Sequence, residues 1–423
     1  MFRKTLFVFG FFGILCALLI GGSPALFAQE TLLEYNGTVL DANEREPLVF
    51  VSISLNDSNL STVSNTEGEF VLKVPESASG GVLNVSLLGY EPKDIPLSQL
   101  TNSDTKIYLS PKVTELSEVN VTTFKNPEAL VRRVFKDKSA NSTAETVLMT
   151  AFYRETIKRR KRNVSLTEAV VDLYKLPYAS NRQDIMSLQK ARKSTDYRRL
   201  DTVAVKMQGG PFSTLYLDIM KYPEYIFTDE SIEFYDFQFD PPTTVNDRPV
   251  YVVRFQQKEK VIGSGYQGKL YIDATVFALV SATYSLNITD SRDASDLFVR
   301  KKPRDITVSP LQASYRVDYR QKNGKWYYGY GSVLVSFKIS KRRRLFNSVY
   351  TLASEMAVTD WQSYATDHFP IGKERLRPSV IIADAVSGFS DPDFWGPYNL
   401  IEPEKSIESA INKIRRKLKR NGG

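Results

Sequence analysis

Apolar residues at every second position, broken at short intervals by turn residues, constrain this chain more than any other feature. From Leu32 to about Ser110, Val49, Val51, Ile53 and Leu55 alternate with Phe50, Ser52, Ser54 and Asn56. Phe70, Leu72 and Val74 repeat the pattern, then Leu83, Val85 and Leu87, then Ile107 and Leu109. Side chains of a strand point alternately to its two faces, so this period gives strands with one buried face. Asp41-Ala42-Asn43, Asn56-Asp57-Ser58-Asn59, Asn65-Thr66-Glu67-Gly68 and Ser79-Gly80-Gly81 separate the runs. Several short strands at this spacing predict a small β-sandwich over residues 30–110.

Residues 146–390 carry longer strand patterns. Thr146 to Ile157, Pro249 to Gln256 and Ser348 to Val358 each read as a strand. Gly268 to Asp273 and Val276 to Leu286 form a hairpin pattern around Ala274-Thr275. Tyr315 to Arg320 and Trp326 to Ile339 flank Lys322-Asn323-Gly324, and Asn-Gly suits a two-residue hairpin turn. Long consecutive strands imply one large, curved antiparallel sheet with few helices. The fold class is therefore mostly β.

Two helices are expected. Residues 111–145 read as a linker with a short strand at Glu118-Val119-Asn120-Val121, followed by a helix. Asn126 is its N-cap and Pro127 its first residue. Leu130, Val131, Val134 and Phe135 share one face, and Lys136 and Lys138 suit its carboxyl end. Residues 391–423 hold an aromatic segment and then a helix from about Pro403, with Ile407, Ile411, Ile414 and Leu418 on one face.

The amino terminus sets the expected compartment. Arg3 and Lys4 precede an apolar run from Leu6 to Ile20; Gly21, Gly22, Ser23 and Pro24 break it, and Ala25 to Ala28 offers a cleavage site. That order predicts a secretory signal peptide over residues 1–28, leaving Gln29 first. The rival reading is a retained anchor, but the run is short for a span and no stop-transfer cluster follows. Cys16 lies within the run and follows Leu15 rather than a small residue, which disfavours lipidation. It is the chain's single cysteine, so an exported product has none and must be held by core packing. The net charge is +8, two of which belong to Arg3 and Lys4. Such diffuse charge argues against a nucleic-acid partner.

Several segments carry a resemblance. Gly37-Thr38-Val39-Leu40-Asp41 opens a strand pair, and Glu46-Pro47-Leu48 leads into the next strand. Thr62 to Phe70 contains an acidic turn followed by Gly68 and Phe70, and Gly89-Tyr90 closes a later strand. Together Gly37, Asp41, Pro47, Gly68, Phe70, Gly89 and Tyr90 resemble the motif of the carboxypeptidase regulatory-like domain, a transthyretin-like β-sandwich. The resemblance implies an accessory module without peptidase residues of its own. Such modules accompany peptidases, TonB-linked receptors and envelope proteins of diderm bacteria. Tyr251 to Leu286, with Gly268-Lys269-Leu270-Tyr271-Ile272-Asp273, is similar to part of the periplasmic lipoprotein-carrier fold, a half-barrel with a helix across its mouth. With the Asn126 helix, Tyr153-Arg154-Glu155 and Phe394-Trp395-Gly396-Pro397-Tyr398-Asn399, the mature chain resembles envelope proteins that contain a carboxypeptidase-like regulatory domain.

The residue inventory bounds the chemistry. A catalytic zinc site uses several nitrogen or sulfur ligands, and the chain holds one histidine, His368. His368 lies in Asp367-His368-Phe369-Pro370 without a nucleophile elbow, so a surface or packing role is expected. No phosphate-binding loop signature is present. Asp391 and Asp393 beside Trp395 are the candidates for carboxylate-only hydrolysis, although a pair flanking Pro392 more often shapes a turn. Asp290-Ser291-Arg292-Asp293 is a poor calcium loop because of Arg292. Basic clusters at Lys158 to Arg162, Arg300 to Arg304, Lys341 to Arg344 and Arg415 to Arg420 read first as solvated hairpin tips, and second as contacts for anionic lipid.

The expectation is a non-catalytic exported envelope protein, periplasmic or outer-membrane associated, acting as a binding or scaffold module. No catalytic residue, cofactor or metal is expected. The partner is an envelope protein or lipid, with peripheral membrane contact. One alternative is a lipid or lipoprotein carrier with a half-barrel cavity; the other is a carboxylate-dependent hydrolase. A deep apolar cavity in the large domain would mark a carrier, and a packed interior a scaffold.

Overall fold

A computed structural model describes residues 31–100, 105–112, 124–160, 162–195, 209–245, 248–288, 305–341, 347–366, 368–382 and 395–403. The expected signal peptide, the 118–121 strand, Asp290 to Asp293, Asp391, Asp393 and the final helix lie outside the described residues.

The protein is mostly β. Strands β1 (Leu32–Asp41), β4 (Glu69–Pro75) and β7 (Thr105–Leu109) form a three-stranded sheet in the order β4-β1-β7. Strands β2 (Ser52–Leu55), β3 (Ser61–Val63), β5 (Val82–Ser86) and β6 (Lys93–Pro96) form a second sheet in the order β3-β2-β5-β6. The alternating apolar sets meet between the two sheets: Val39, Phe70 and Leu72 from one, Ile53, Leu83 and Val85 from the other. This is the expected amino-terminal sandwich.

Helix α1 (Pro127–Asn141) follows, and Asn126 Oδ1 accepts from the Ala129 N–H at 3.2 Å as its N-cap. Leu130, Val131 and Val134 are buried, which stabilises its docking by about 1.5–3 kcal/mol per side chain. Lys138 stands in the last turn of the helix as expected; it is half-buried, and that burial lowers its pKa.

Ten strands build a third, large sheet: β8 (Val147–Arg159), β9 (Arg162–Lys175), β10 (Ile185–Thr195), β11 (Tyr235–Val245), β12 (Arg248–Gln257), β13 (Tyr266–Asp273), β14 (Leu279–Leu286), β15 (Ile306–Lys322), β16 (Lys325–Lys341) and β17 (Ser348–Ser363). Their order is β10-β9-β8-β17-β16-β15-β14-β13-β12-β11, antiparallel throughout. The chain enters at β8, runs to one edge at β10, crosses to the far edge at β11, and meanders back until β17 pairs with β8. The Asn323-Gly324 turn has φ of 49° and 76°, as a two-residue hairpin requires. The β13–β14 turn is longer than Ala274-Thr275. Asp273 Oδ1 accepts from Thr275 N at 2.8 Å and Val276 N at 3.0 Å, so pairing resumes only near Leu279.

The crossing segment, residues 209–234, includes the short helix α2 (Phe212–Leu215) and packs with α1 on one face of the large sheet, the inner face. Leu215, Ile219, Ile226 and Phe227 are buried there, and Phe135 of α1 meets Phe227 edge-on at 6.0 Å. The sandwich lies against the opposite, outer face through β3 and β17. Strands β8 and β9 are therefore covered on both sides, and residues 151–157 of β8 are all buried.

Candidate functional site

The motif residues of the sandwich act as structural locks. Gly37 pairs with Phe70 across β1 and β4, and a Cβ there would lie 2.6 Å from the Thr105 carbonyl oxygen and 2.9 Å from the Phe70 ring. Gly68 takes φ +75°, and a Cβ would meet the Val39 oxygen at 2.5 Å and Pro47 at 3.2 Å. Its own carbonyl accepts from Val39 N at 2.8 Å, which ties the acidic turn to β1. Asp41 Oδ1 accepts from Asn43 N at 2.7 Å and Glu44 N at 2.9 Å, while Oδ2 accepts from the Tyr90 hydroxyl at 2.9 Å. The backbone donors from Glu44 and Asn43 help hold the Asp41 carboxyl below its usual range despite burial. Burial, then Asp41, pushes the Tyr90 phenol up to about 12. Tyr90 packs at the margin of the core, so it is a tether as much as a core side chain. Gly89 takes φ +82° in the turn that delivers it.

The seam between sandwich and sheet is built from polar and aromatic contacts. Ser61 Oγ donates to the Val358 oxygen at 3.1 Å, and Thr62 Oγ1 donates to the Leu400 oxygen at 2.9 Å. Arg320 bonds Ser61, and Lys322 bonds Asn59. Residues 395–403 thread between the two bodies. Asn399 Oδ1 accepts from Lys73 N at 2.6 Å, and its amide donates back to the Lys73 oxygen at 3.2 Å. Trp395 sits edge-on to Phe152 at 5.4 Å and under the Arg192 guanidinium at 4.9 Å.

A buried charge cluster anchors this strap. Arg154 is 2% exposed; its Nε lies 2.8 Å from Glu168 Oε1, and Arg192 Nε lies 2.6 Å from Glu168 Oε2. Arg154 Nη2 also donates to the Ile401 oxygen at 2.7 Å. Burial alone would raise the Glu168 pKa; Arg154 and Arg192 more than offset it and hold it low. Tyr153-Arg154-Glu155 and the Trp395 segment, two pieces of the sequence resemblance, thus meet at one place. Glu168 and Arg192 were missed in the sequence, because acids and bases on strands ordinarily read as solvent-facing.

The inner face holds a second polar cluster. Lys175 Nζ lies 2.5 Å from Asp184 Oδ2 and 2.6 Å from Asp218 Oδ2, with all three side chains buried. Tyr178 and Tyr319 donate to Asp218 at 2.9 and 2.8 Å, and Tyr222 donates to Asp184 at 2.8 Å. Burial opposes the Lys175 charge, but the two carboxylates more than offset it and raise its pKa. This network satisfies the irregular crossing segment, whose groups would otherwise be buried without partners. Beside it is a small cleft, partly open to solvent, lined by Val134, Lys138, Tyr178, Tyr319 and Trp326. Elsewhere on β8, Glu155 accepts from the Tyr153 hydroxyl at 3.0 Å, and burial pushes its carboxyl up to about 7.

His368 is exposed in a loop, where its N–H donates to Thr366 Oγ1 at 3.1 Å and its carbonyl accepts from Tyr364. Trp395, the aromatic neighbour of Asp391 and Asp393 in sequence, is buried in the seam rather than exposed in a cleft. Among the described residues no group of three or more His, Cys, Asp or Glu side chains converges as metal ligands. Among them, too, no helix is long and apolar enough to cross a membrane.

The two-sheet sandwich, the Gly68 turn and the Asp41–Tyr90 tether together fit one domain type. The chain carries a CarboxypepD_reg-like domain. The match to that family spans residues 35–121. No curated protein matches the chain. Among solved structures, a DUF1329 family protein from Desulfovibrio piger ATCC 29098 is similar at 10% identity, covering 58% of this chain and 96% of that one, with a TM-score of 0.24. The CarboxypepD_reg-like domain accounts for the motif residues as fold determinants, and the large sheet provides the base to which it is fastened.

Proposed function

We propose that the protein is a non-catalytic, exported envelope protein in which a CarboxypepD_reg-like domain is presented on a rigid β-sheet base as a binding or scaffold module. One observation carries this reading: the inner face of the large sheet is filled by the chain's own α1 and residues 209–234. A carrier of acyl chains needs an apolar cavity of roughly 300–1,000 Å³. Among the described residues, the cleft beside Trp326 is polar at Lys138 and Asn141 and has room for about one water molecule. The seam supports the same reading, since buried ion pairs and a threaded strap fix the sandwich's orientation. Export rests on the amino-terminal pattern, and the envelope setting on the resemblance.

A carrier is the second reading. The position of α1 across the inner face matches a half-barrel with a helix over its mouth, and withdrawal of residues 209–234 would open the space beneath. Native pull-down from the envelope, with mass spectrometry of both lipids and proteins, separates the two. A scaffold retains a protein partner without stoichiometric lipid. Recovery of one acyl lipid per chain with no protein partner would overturn the scaffold reading.

A further inference from the structure

The end of the large sheet remote from the sandwich collects cations that are distant in sequence. The β8–β9 hairpin turns there at Arg160, with Arg159 paired to Arg162. Arg159 also pairs with Tyr350 of β17, and Ile339 of β16 pairs with Ser348. Lys158, Arg159, Arg160, Arg162 and Lys338 therefore share one end, and Arg160, Arg162 and Lys338 are exposed. Asp305 stands nearby, just ahead of Ile306 on β15. The outer face next to this end is not polar throughout. Leu311, Leu334 and Val349 are 52%, 38% and 37% exposed, and Val349 lies opposite Lys338 across β16 and β17.

The turn itself carries a conformational cost. Arg160 sits at φ +54°, a region that an arginine adopts only against steric resistance. At the opposite end of the sheet, the β15–β16 hairpin meets the same demand with Asn323 and Gly324. A cation kept where Asn or Gly would be less strained points to a use for that charge.

We propose that this end of the large sheet is a docking surface for an anionic lipid bilayer. Exposed guanidinium and ammonium groups complement lipid phosphates, and the interleaved Leu311, Leu334 and Val349 can enter the headgroup boundary. A nucleic acid would use the charge and gain nothing from the aliphatic side chains. The sandwich is fastened at the other end, so it would face away from the bilayer. The inference deepens the envelope-scaffold reading by naming the surface that the base meets.

Vesicle flotation of the purified protein tests it independently of any protein partner. Binding is expected to phosphatidylglycerol–phosphatidylcholine vesicles, not to phosphatidylcholine alone, and to weaken with salt. The combined Arg160→Glu, Arg162→Glu and Lys338→Glu variant should lose at least about tenfold in affinity. Leu334→Ser with Val349→Ser should weaken binding several-fold with melting unchanged. Arg160→Gly relieves the turn, so it should fold at least as well as the parent and still bind more weakly; it serves where the triple variant fails to fold. Absence of vesicle binding overturns the proposal. So does a loss that follows Arg415, Arg416 and Lys417→Ala instead, or equal binding to duplex DNA that ignores the Leu334 and Val349 changes. Any of these would leave the pull-down test of the scaffold reading untouched.

Discussion

Arg154 of β8 donates to the carbonyl oxygen of Ile401 at 2.7 Å, so a buried side chain in the middle of the sheet holds a strap some 250 residues later in the chain. The same guanidinium neutralises Glu168, which Arg192 grips from the other side. Sheet, strap and sandwich are thereby one mechanical unit.

Arg154→Ala should therefore be severe. It removes the Arg154 donor from the Ile401 carbonyl and leaves Glu168 with Arg192 as its remaining buried cation. Breaking a buried pair this way costs about 3–5 kcal/mol. Urea unfolding should show a midpoint well below that of the parent, and limited proteolysis should cut near residues 395–403. An unchanged midpoint would mean that the cluster does not hold the strap.

Lys175 presents a different balance, because two carboxylates depend on it. Lys175→Met should destabilise strongly, by about 3–5 kcal/mol. Adding Asp218→Asn should recover part of that loss, since fewer unpaired charges remain buried. A double-mutant cycle measures the coupling, and strictly additive effects would contradict the contact geometry.

Glu155 predicts a pH dependence of definite sign. Its carboxyl is pushed from an ordinary 4.5 up to about 7 in the fold, mainly by burial. Between those values the folded state holds a proton that the unfolded state has released, so stability falls as pH rises through the window. The full effect is on the order of 3 kcal/mol, present as stability below about pH 4.5 and lost above about pH 7. Glu155→Gln should flatten this part of the profile. A parent and variant with parallel pH profiles would refute it.

In the sandwich, Tyr90→Phe removes the donor to Asp41 while keeping the ring. A hydrogen bond to a charged acceptor is stronger than one between neutral groups. Thermal unfolding should shift down accordingly, and the Asp41 carboxyl should titrate higher by NMR, because it has lost one of its donors. No change in either would show the tether to be incidental.

These sites differ in how far the sequence exposed them. The sandwich was legible because each strand has one buried face: Ile53 and Leu55 point inward while Ser52 and Ser54 point outward. The Gly68 turn and the Asn126 cap were legible for a similar reason, since local backbone geometry selects those residues. Strand β9 was not. Its run Val164-Ser165-Leu166-Thr167-Glu168-Ala169-Val170 is covered on both faces, so no polar face marks it. Glu168 there is buried only because residues 395–403 and Arg192 arrive from elsewhere in the chain. The crossing segment 209–234 was missed because it has no period; its apolar residues fill a space that the sheet defines.

Filling of that space is the central claim, and native mass spectrometry of the protein purified gently from its envelope tests it most directly. A chain whose inner face is occupied by α1 and residues 209–234 should appear at its own mass, alone or with a protein partner, and without an acyl-lipid adduct. A stoichiometric acyl-lipid adduct on the isolated chain, released only when the protein unfolds, would contradict the account.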